Sequence, residues 1–330
     1  MSVQIGVFLP TFGGARRRSG EEIAAFARRA EDLGFDSLWA TDHLLHGSLF
    51  YRHPWLDPML ALTYAAGVTR RVRLGTSILV MPTRQPLNLA KEISTLQALS
   101  EDRFILGAGT GWDDREFEAA GIEKSERGSR TDECLELVRE LLSGKAVNFT
   151  GKHYRMHEVE IGPAPKESVV VWVAGGSQLA HPDSPEPPAL AERVLRRIGK
   201  ADGWIARPTA LPQQIASDRE QILAHRRAGG REEDGFTVAH ENFLHLVATS
   251  DPAVARDEQR AYFEEVMGHG RPFDYFDQVY LTGTEEEVLE KLRARRAAGV
   301  TYFMLHTLEP SISQLELWAS RLIPQLREME

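Results

Sequence analysis

An acid–imidazole pair that follows an apolar run is the feature of this sequence that most clearly suggests chemistry. Residues 35–40 are predicted to form a buried strand, and Asp42 and His43 come shortly after it. Histidine is the side chain that most readily moves a proton near neutral pH, and a neighbouring carboxylate can hold one of its tautomers. The ligand pocket of parallel α/β folds lies at the carboxyl ends of the strands. We therefore predict an acid–base role for His43, supported by Asp42; a core histidine beside a helix cap is the structural alternative.

A metal site at the same place is disfavoured by spacing. Asp42, His43 and His46 form neither a helical i, i+4 pair nor a known closed zinc pattern, so we expect no metal. None of the lysines ends a predicted strand, which disfavours a Schiff-base aldolase. The sequence also lacks the His-x-His pair of binuclear metallohydrolases and the Gly-x-Ser-x-Gly nucleophile elbow.

Two glycine-rich turns follow predicted strands. They are Gly107-Ala108-Gly109-Thr110-Gly111 and Gly175-Gly176-Ser177. Glycine lets backbone N–H groups approach a phosphate closely, although a single G-x-G-x-G is weak evidence and can be purely geometric. Two such turns at one barrel mouth favour a flat ligand that carries a phosphate.

The elements that must position these groups alternate between strand and helix from end to end. The eight predicted strands cover residues 3–9, 35–40, 72–80, 104–108, 169–174, 203–206, 237–248 and 302–306. This count predicts an α/β fold, a single (β/α)8 TIM barrel spanning residues 1–330 with insertions at its C-terminal face. An open sheet of eight strands is the weaker alternative. Ser19-x-x-Glu22 and Thr284-x-x-Glu287 are capping boxes that predict helix starts.

Three segments interrupt the alternation. Residues 146–161 are predicted to form a hairpin about Thr150-Gly151-Lys152. Residues 177–189 contain four prolines and are predicted to be a surface loop. Residues 268–280 combine glycines and a proline, which disfavour a stable helix, with four aromatic residues that are costly to expose. We expect this segment to close over the ligand as a lid, with packing against a second subunit as the alternative.

Composition excludes several classes of protein. The chain has 330 residues, 42% of them hydrophobic, and a formal net charge of −9, which argues against a nucleic-acid surface and gives no attraction to membranes. No apolar run reaches the length of a membrane span, and no signal peptide is apparent. The single cysteine, Cys134, falls in a helical apolar pattern and is expected to be buried. We expect a cytoplasmic protein.

Taken in order, these segments resemble the luciferase-like flavin- and deazaflavin-dependent oxidoreductases, which are (β/α)8 barrels. The resemblance covers nearly the whole chain. It rests on residues 38–43, 74–82, 96–104, 107–121, 126–128, 151–154 and 201–204.

The resemblance implies roles for particular residues. His43 matches the catalytic histidine of the family, and Asp42 matches its neighbour beneath the ring. Thr76, Ser77 and Ile78 match a bulge in the third strand that often contains a non-proline cis peptide and supports the central ring. The segments matching those that hold the ribityl chain and phosphate are Thr110-Gly111-Trp112 and Gly175-Gly176-Ser177.

The resemblance also implies a cofactor and a reaction. Gly109-Thr110-Gly111-Trp112-Asp113 with Asp202-Gly203-Trp204 resembles the deazaflavin (coenzyme F420) branch, whereas Met81-Pro82-Thr83 is also similar to bacterial luciferase and its flavin mononucleotide (FMN) relatives. The implied activity is hydride transfer between F420 and a small organic substrate, with His43 as the acid–base residue. The alternatives are an oxygen-dependent monooxygenase that uses reduced FMN and a non-catalytic flavin-binding barrel.

The substrate pocket is predicted from loops and strand ends. These positions mix aromatic and polar character, which suits a medium-sized organic molecule but identifies none. The predicted walls are His46, Phe50, Trp55, Arg207, His240, Asn242 and His306. We further expect a homodimer formed through helices of the barrel.

Overall fold

The computed structural model describes residues 3–12, 18–47, 53–182 and 190–329. Phe50 and part of the Pro-rich segment lie outside these ranges. The strands are β1 (Gln4–Phe8), β2 (Ser37–Ala40), β3 (Arg73–Thr76), β4 (Leu79–Val80), β5 (Phe104–Gly109), β6 (Val147–Thr150), β7 (Arg155–Val159), β8 (Val170–Gly175), β9 (Gly203–Ala206), β10 (Thr237–Leu244) and β11 (Tyr302–Thr307).

Helices lie between most of these strands. They are α1 (Gly20–Asp32), α2 (Pro58–Val68), α3 (Pro86–Ser100), α4 (Asp114–Ala119), α5 (Arg127–Leu141), α6 (Glu192–Gly199), α7 (Pro212–Ala228), α8 (Pro252–Met267), α9 (Phe273–Val279), α10 (Glu285–Ala297), α11 (Ile312–Arg321) and α12 (Ile323–Arg327). Within the described ranges, no helix is both long enough and apolar enough to cross a membrane.

The main sheet is a closed parallel barrel. Its strands follow the order β3, β2, β1, β11, β10, β9, β8, β5, and pairing of β3 with β5 closes the ring. The short strand β4 continues the line of β3 and also pairs with β5, so the ring has eight positions. This arrangement confirms the predicted (β/α)8 barrel. The predicted hairpin is confirmed as the antiparallel pair β6–β7.

Local sequence signals account for where several helices begin. Ser19 and Glu22 form the predicted capping box of α1, and Thr284 and Glu287 form that of α10. Each box satisfies backbone N–H groups that have no partner inside the helix. Cys134 is buried in α5 as expected, and burial raises the pKa of its thiol to about 12, which keeps the thiol protonated.

Large aromatic side chains fill part of the barrel interior. The ring centroids of Trp39 and Trp172 are 5.3 Å apart, and those of Trp172 and Tyr302 are 4.9 Å apart. Glycines on adjacent strands make room for them, because a Cβ on Gly6 or Gly75 would lie 2.2 Å from the Trp39 ring system. We call Trp39, Trp172 and Tyr302 the aromatic layer.

The third predicted strand is interrupted, which corrects the single strand expected over residues 72–80. Strand β3 ends at Thr76, β4 begins at Leu79, and the peptide bond between Ser77 and Ile78 is cis. The side chain of Ile78 lies over Gly109, where a Cβ would come within 2.1 Å of it. The expected bulge is therefore present at the expected residues.

The aromatic segment at residues 268–280 also differs from expectation. It contains helix α9, so the prediction that its glycines and proline prevent a helix was wrong; Pro272 occupies the N-cap, where proline costs the helix no hydrogen bond. Phe276 and Tyr280 are buried against Phe243 and Phe263 of the same chain. Their burial needs neither a closing lid nor a partner subunit.

Candidate active site

His43 lies at the carboxyl end of β2, where it contacts a carboxylate. Its Nδ1 is 3.1 Å from Oε1 of Glu116, a buried residue of α4. The backbone N–H groups of Leu44 and Leu45 donate to the same oxygen at 2.8 and 3.2 Å. The two backbone N–H groups and the imidazole nitrogen thus converge on one carboxylate oxygen. Glu116 therefore holds His43 and the start of the following loop together.

This contact selects a tautomer of His43. An ionised carboxylate only accepts hydrogen bonds, so the Nδ1 of a neutral imidazole must carry the proton. The other nitrogen, Nε2, is then the basic one and lies on the opposite side of the ring. The pair can take up a proton at Nε2 while Glu116 stabilises the imidazolium that results.

We expect Glu116→Gln to leave the proton of neutral His43 on Nδ1, because the amide oxygen stays where the N–H groups of Leu44 and Leu45 donate and still accepts from the imidazole. The ¹⁵N chemical shifts of the His43 ring check this. The variant lacks the negative charge that stabilises the imidazolium, and losing a charge-assisted hydrogen bond of about 1.5–3 kcal/mol should lower turnover roughly 10- to 100-fold. Unchanged turnover in the variant would contradict the role given to Glu116.

The carboxylate of Asp42 is engaged by β4 and by an arginine. It accepts hydrogen bonds from the N–H of Val80 at 3.0 Å and from Arg84 at 2.7 Å, and Arg84 also binds Asp57 at the start of α2. Burial raises the pKa of Asp42, and the Arg84 guanidinium offsets only part of that rise. In this geometry Asp42 joins the end of β2 to β4 and α2.

Aromatic side chains surround His43. The Trp55 ring centroid is 5.5 Å from that of His43 and stacks on Phe12 at 4.2 Å. Trp112 presents its ring at 5.7 Å from the His43 ring and is 42% exposed. Of the predicted pocket residues, Trp55 therefore lies beside the candidate acid–base group, whereas His46 is exposed in the loop beyond it. Phe50 lies outside the described residues.

Strand β10 corrects two of the predicted pocket walls. His240 and Asn242 are completely buried; the His240 ring contacts the carbonyl oxygen of Arg207, and Asn242 donates to those of Pro208 and Val279. Side chains alternate between the two faces of a strand, so these two point out of the barrel and their neighbour Glu241 points in. They do not line the mouth.

His306 does point into the barrel but lies below the opening. Its ring is buried between Phe8, with centroids 3.4 Å apart, and Phe243, at 4.5 Å. Its Nε2 is 3.1 Å from Oε1 of Glu241, and the hydroxyl of Ser77 donates to the other oxygen of that carboxylate at 2.5 Å. The prediction that His306 forms an open wall was wrong because the phenylalanines cover it.

The predicted cofactor-binding residues differ in whether they can face a ligand. Thr76 is buried and its hydroxyl donates to the carbonyl oxygen of Gly107 at 2.9 Å, so it joins two strands and does not face a ligand. Ile78 is half-buried above it. Thr110 and Gly111 are half-buried at the end of β5, and Gly111 has the positive φ of 70° that glycine accommodates.

The second glycine turn already binds a carboxylate. Asp218 of α7 accepts from the N–H of Ser177 at 2.6 Å and from its hydroxyl at 2.9 Å. These donors are therefore not directed at a phosphate. The guanidinium of Arg207, predicted as a pocket wall, donates instead to the carbonyl oxygen of Gly176 at 2.6 Å and to Oε1 of Gln178 at 3.1 Å, and it brings a positive charge to the Gly175-Gly176 turn.

Three residues of this site were missed from the sequence. Glu116 follows shortly after the Gly107–Gly111 motif, which was interpreted only as a phosphate-binding loop. Glu241 could have been found, since a carboxylate inside an apolar strand requires a specific reason. Nothing local in the sequence indicated that Arg84 pairs with Asp42. Within the described ranges, no three His, Cys, Asp or Glu side chains are grouped as metal ligands.

Known proteins share this architecture. The family described as luciferase-like monooxygenase matches residues 3–302. The F420-dependent glucose-6-phosphate dehydrogenase of Amycolatopsis mediterranei is 35% identical over 162 residues, which are 47% of each chain. The F420-dependent hydroxymycolic acid dehydrogenase of Mycobacterium tuberculosis is 26% identical over 332 residues, covering 93% of this chain and 85% of the relative.

A solved structure extends the likeness to the fold. An F420-dependent secondary alcohol dehydrogenase in complex with an F420-acetone adduct superimposes with a TM-score of 0.81 at 19% identity, over 99% of this chain and 100% of that one. At this identity the match concerns the fold alone. Since the family match covers nine-tenths of the residues, the chain belongs to the luciferase-like monooxygenase family of oxidoreductases.

Proposed function

We propose that this protein transfers hydride between coenzyme F420 and a small organic substrate, with His43 as the acid–base residue. The observation that carries the proposal is the His43–Glu116 pair at the carboxyl edge of the barrel, with its basic nitrogen on the side away from the carboxylate. The F420-dependent names of the relatives support the choice of cofactor. The substrate is not identified by these residues.

The residues at the mouth fit a flat ring that carries an anionic chain. Ile78, Thr110 and Gly111 offer a half-buried surface of low polarity for the ring. Arg207 supplies a positive charge beside the Gly175-Gly176 turn for the chain. When bound, the deazaflavin supplies a carbon centre that accepts or gives hydride.

Side chains of the protein transfer the proton and exclude water. Nε2 of His43 takes the proton that leaves the substrate, or returns it in the reverse direction, while Glu116 stabilises the charged imidazole. Trp55, Trp112 and Phe12 line the approach to His43 with apolar surface, which keeps water from competing for the transferred groups. Asp42 and Arg84 hold the end of β2 in place.

Titration of the purified protein with each cofactor tests the proposal. We expect oxidised F420 to bind in the micromolar range or tighter and FMN to bind at least about tenfold more weakly, a difference of 1.4 kcal/mol. Fluorescence of the two cofactors measures both. Tight binding of reduced FMN without F420 affinity would favour the monooxygenase alternative, and binding of either cofactor without any turnover would favour a non-catalytic barrel.

A further inference from the structure

The floor of the barrel mouth carries a second carboxylate–imidazole pair, formed by Glu241 and His306. Each oxygen of Glu241 has one partner inside the barrel: Ser77 for Oε2 and His306 for Oε1. The Glu241 side chain nevertheless keeps 10% of its surface exposed, whereas that of His306 keeps 1%. The carboxylate is thus the member of the pair that reaches the mouth.

Within the described ranges, no lysine or arginine forms an ion pair with Glu241, so no cation of those ranges balances this carboxylate. Burial lowers the pKa of His306, and Glu241 opposes only part of that shift, so the ring favours the neutral state. A neutral ring donates from Nε2 to Glu241, and its buried Nδ1 has no hydrogen-bond partner. The charge of an ionised Glu241 is therefore held by two neutral donors.

Several other charged groups that the structure describes around the mouth are engaged elsewhere. On the β2 side Asp42 pairs with Arg84 and His43 with Glu116. Beyond β5, Asp113 pairs with Arg115, and beyond β9, Arg207 lies on the Gly176 carbonyl oxygen. The groups that pack directly on the pair, Phe8, Phe243, Ser77 and Thr41, are uncharged. Among the described residues, Glu241 and His306 are thus the titratable groups at the floor.

We propose that Glu241 contacts the ring of the bound cofactor and makes binding of its reduced form depend on the uptake of one proton. This inference rests on the proposed function. Hydride brings two electrons and one hydrogen nucleus, so the reduced ring has one more negative charge than the oxidised ring unless a proton accompanies it. A carboxylate without a cation repels that charge strongly at low dielectric. One proton, held by the Glu241–His306 pair or on the ring facing it, removes the repulsion.

The test compares the dissociation constants of oxidised and reduced F420 between pH 6 and 9, measured by fluorescence and absorbance without any substrate. In the wild type, we expect the dissociation constant of reduced F420, divided by that of oxidised F420, to increase as the pH rises. The increase should approach tenfold per pH unit, which is the slope expected when binding takes up one proton. In Glu241→Gln this slope should disappear, and reduced F420 should bind more tightly than to the wild type at pH 9. Glu241→Asp keeps a carboxylate and should keep the slope.

Glu258→Gln is the matched control. Glu258 is also 3.1 Å from a histidine, His245, but the pair lies outside the mouth, so its loss should leave the slope unchanged. If Glu241→Gln does not fold, calorimetry of the wild type in two buffers of different ionisation enthalpy counts the protons taken up with reduced F420.

Three results would overturn the inference. They are a flat wild-type ratio, an equal slope in Glu241→Gln, and no proton uptake by calorimetry. Failure of the wild type to bind oxidised F420 at all is a separate outcome, because it would overturn the proposed function itself.

Discussion

Replacing His43 by alanine should lower turnover by roughly 100-fold or more, the scale of general acid–base catalysis, while F420 affinity stays within a few-fold. The imidazole is held by Glu116 and lies among Trp55 and Trp112, so its removal takes away the proton-carrying group without removing the ring surface at Ile78. Steady-state turnover and cofactor titration on the same preparation measure both quantities.

His157→Ala is a suitable control, since His157 is exposed on the β6–β7 hairpin and contacts Asn148. It should behave as the wild type in both measurements. If His43→Ala keeps full turnover, the histidine is structural and the proton must be carried by another group. If it loses cofactor binding to the same extent as turnover, His43 holds the ring rather than the proton.

Replacing Gly107 by alanine should destabilise the barrel by about 3 kcal/mol, the upper part of the range for overpacking a well-filled interior. A Cβ there would lie 1.9 Å from the carbonyl oxygen of Thr76, and this atom belongs to the backbone, so it cannot move aside as a side-chain tip can. The contact occurs where β3 is interrupted, so the bulge itself would have to shift. Denaturant unfolding followed by circular dichroism measures the loss.

Gly67→Ala provides the comparison for that experiment. Gly67 is near the end of α2, where an added Cβ meets nothing within 4 Å. Alanine should stabilise this helix by about 0.5–1 kcal/mol. The two Gly→Ala changes are thus expected to alter stability in opposite directions. Equal stability of the two variants would contradict this prediction, because it would mean that the backbone avoids the contact between the new Cβ and the Thr76 carbonyl oxygen at no cost.

The elements of the barrel were predictable because each carries a local signal. Apolar runs bounded by turns predicted the barrel strands, and Ser19–Glu22 and Thr284–Glu287 predicted helix starts that are present. Helix α9 was missed because its stability comes from tertiary contacts, with Phe276 packed on Phe263, which outweigh the glycines and proline that precede it.

The site was predictable only in part, for a geometric reason. A strand end can be placed from sequence, which located His43 and the glycine turns. Which face of a strand each side chain occupies depends on the register, and a shift of one residue exchanges the faces. His240 and Asn242 were chosen where Glu241 is the inward residue. Glu116 reaches His43 across 73 residues of sequence, a contact that no local pattern encodes.

The aromatic layer has a consequence for the order of events during turnover. Trp39, Trp172 and Tyr302 belong to a buried cluster that fills the barrel interior, so a molecule that binds at the carboxyl edge of the strands has to leave by the entrance it used. A cofactor ring that lies above the aromatic layer is covered by the substrate that binds after it. Ligands should therefore be loaded in a compulsory sequence, the deeper one first, and be released in the reverse sequence. Under the proposed function, the product would leave before the cofactor.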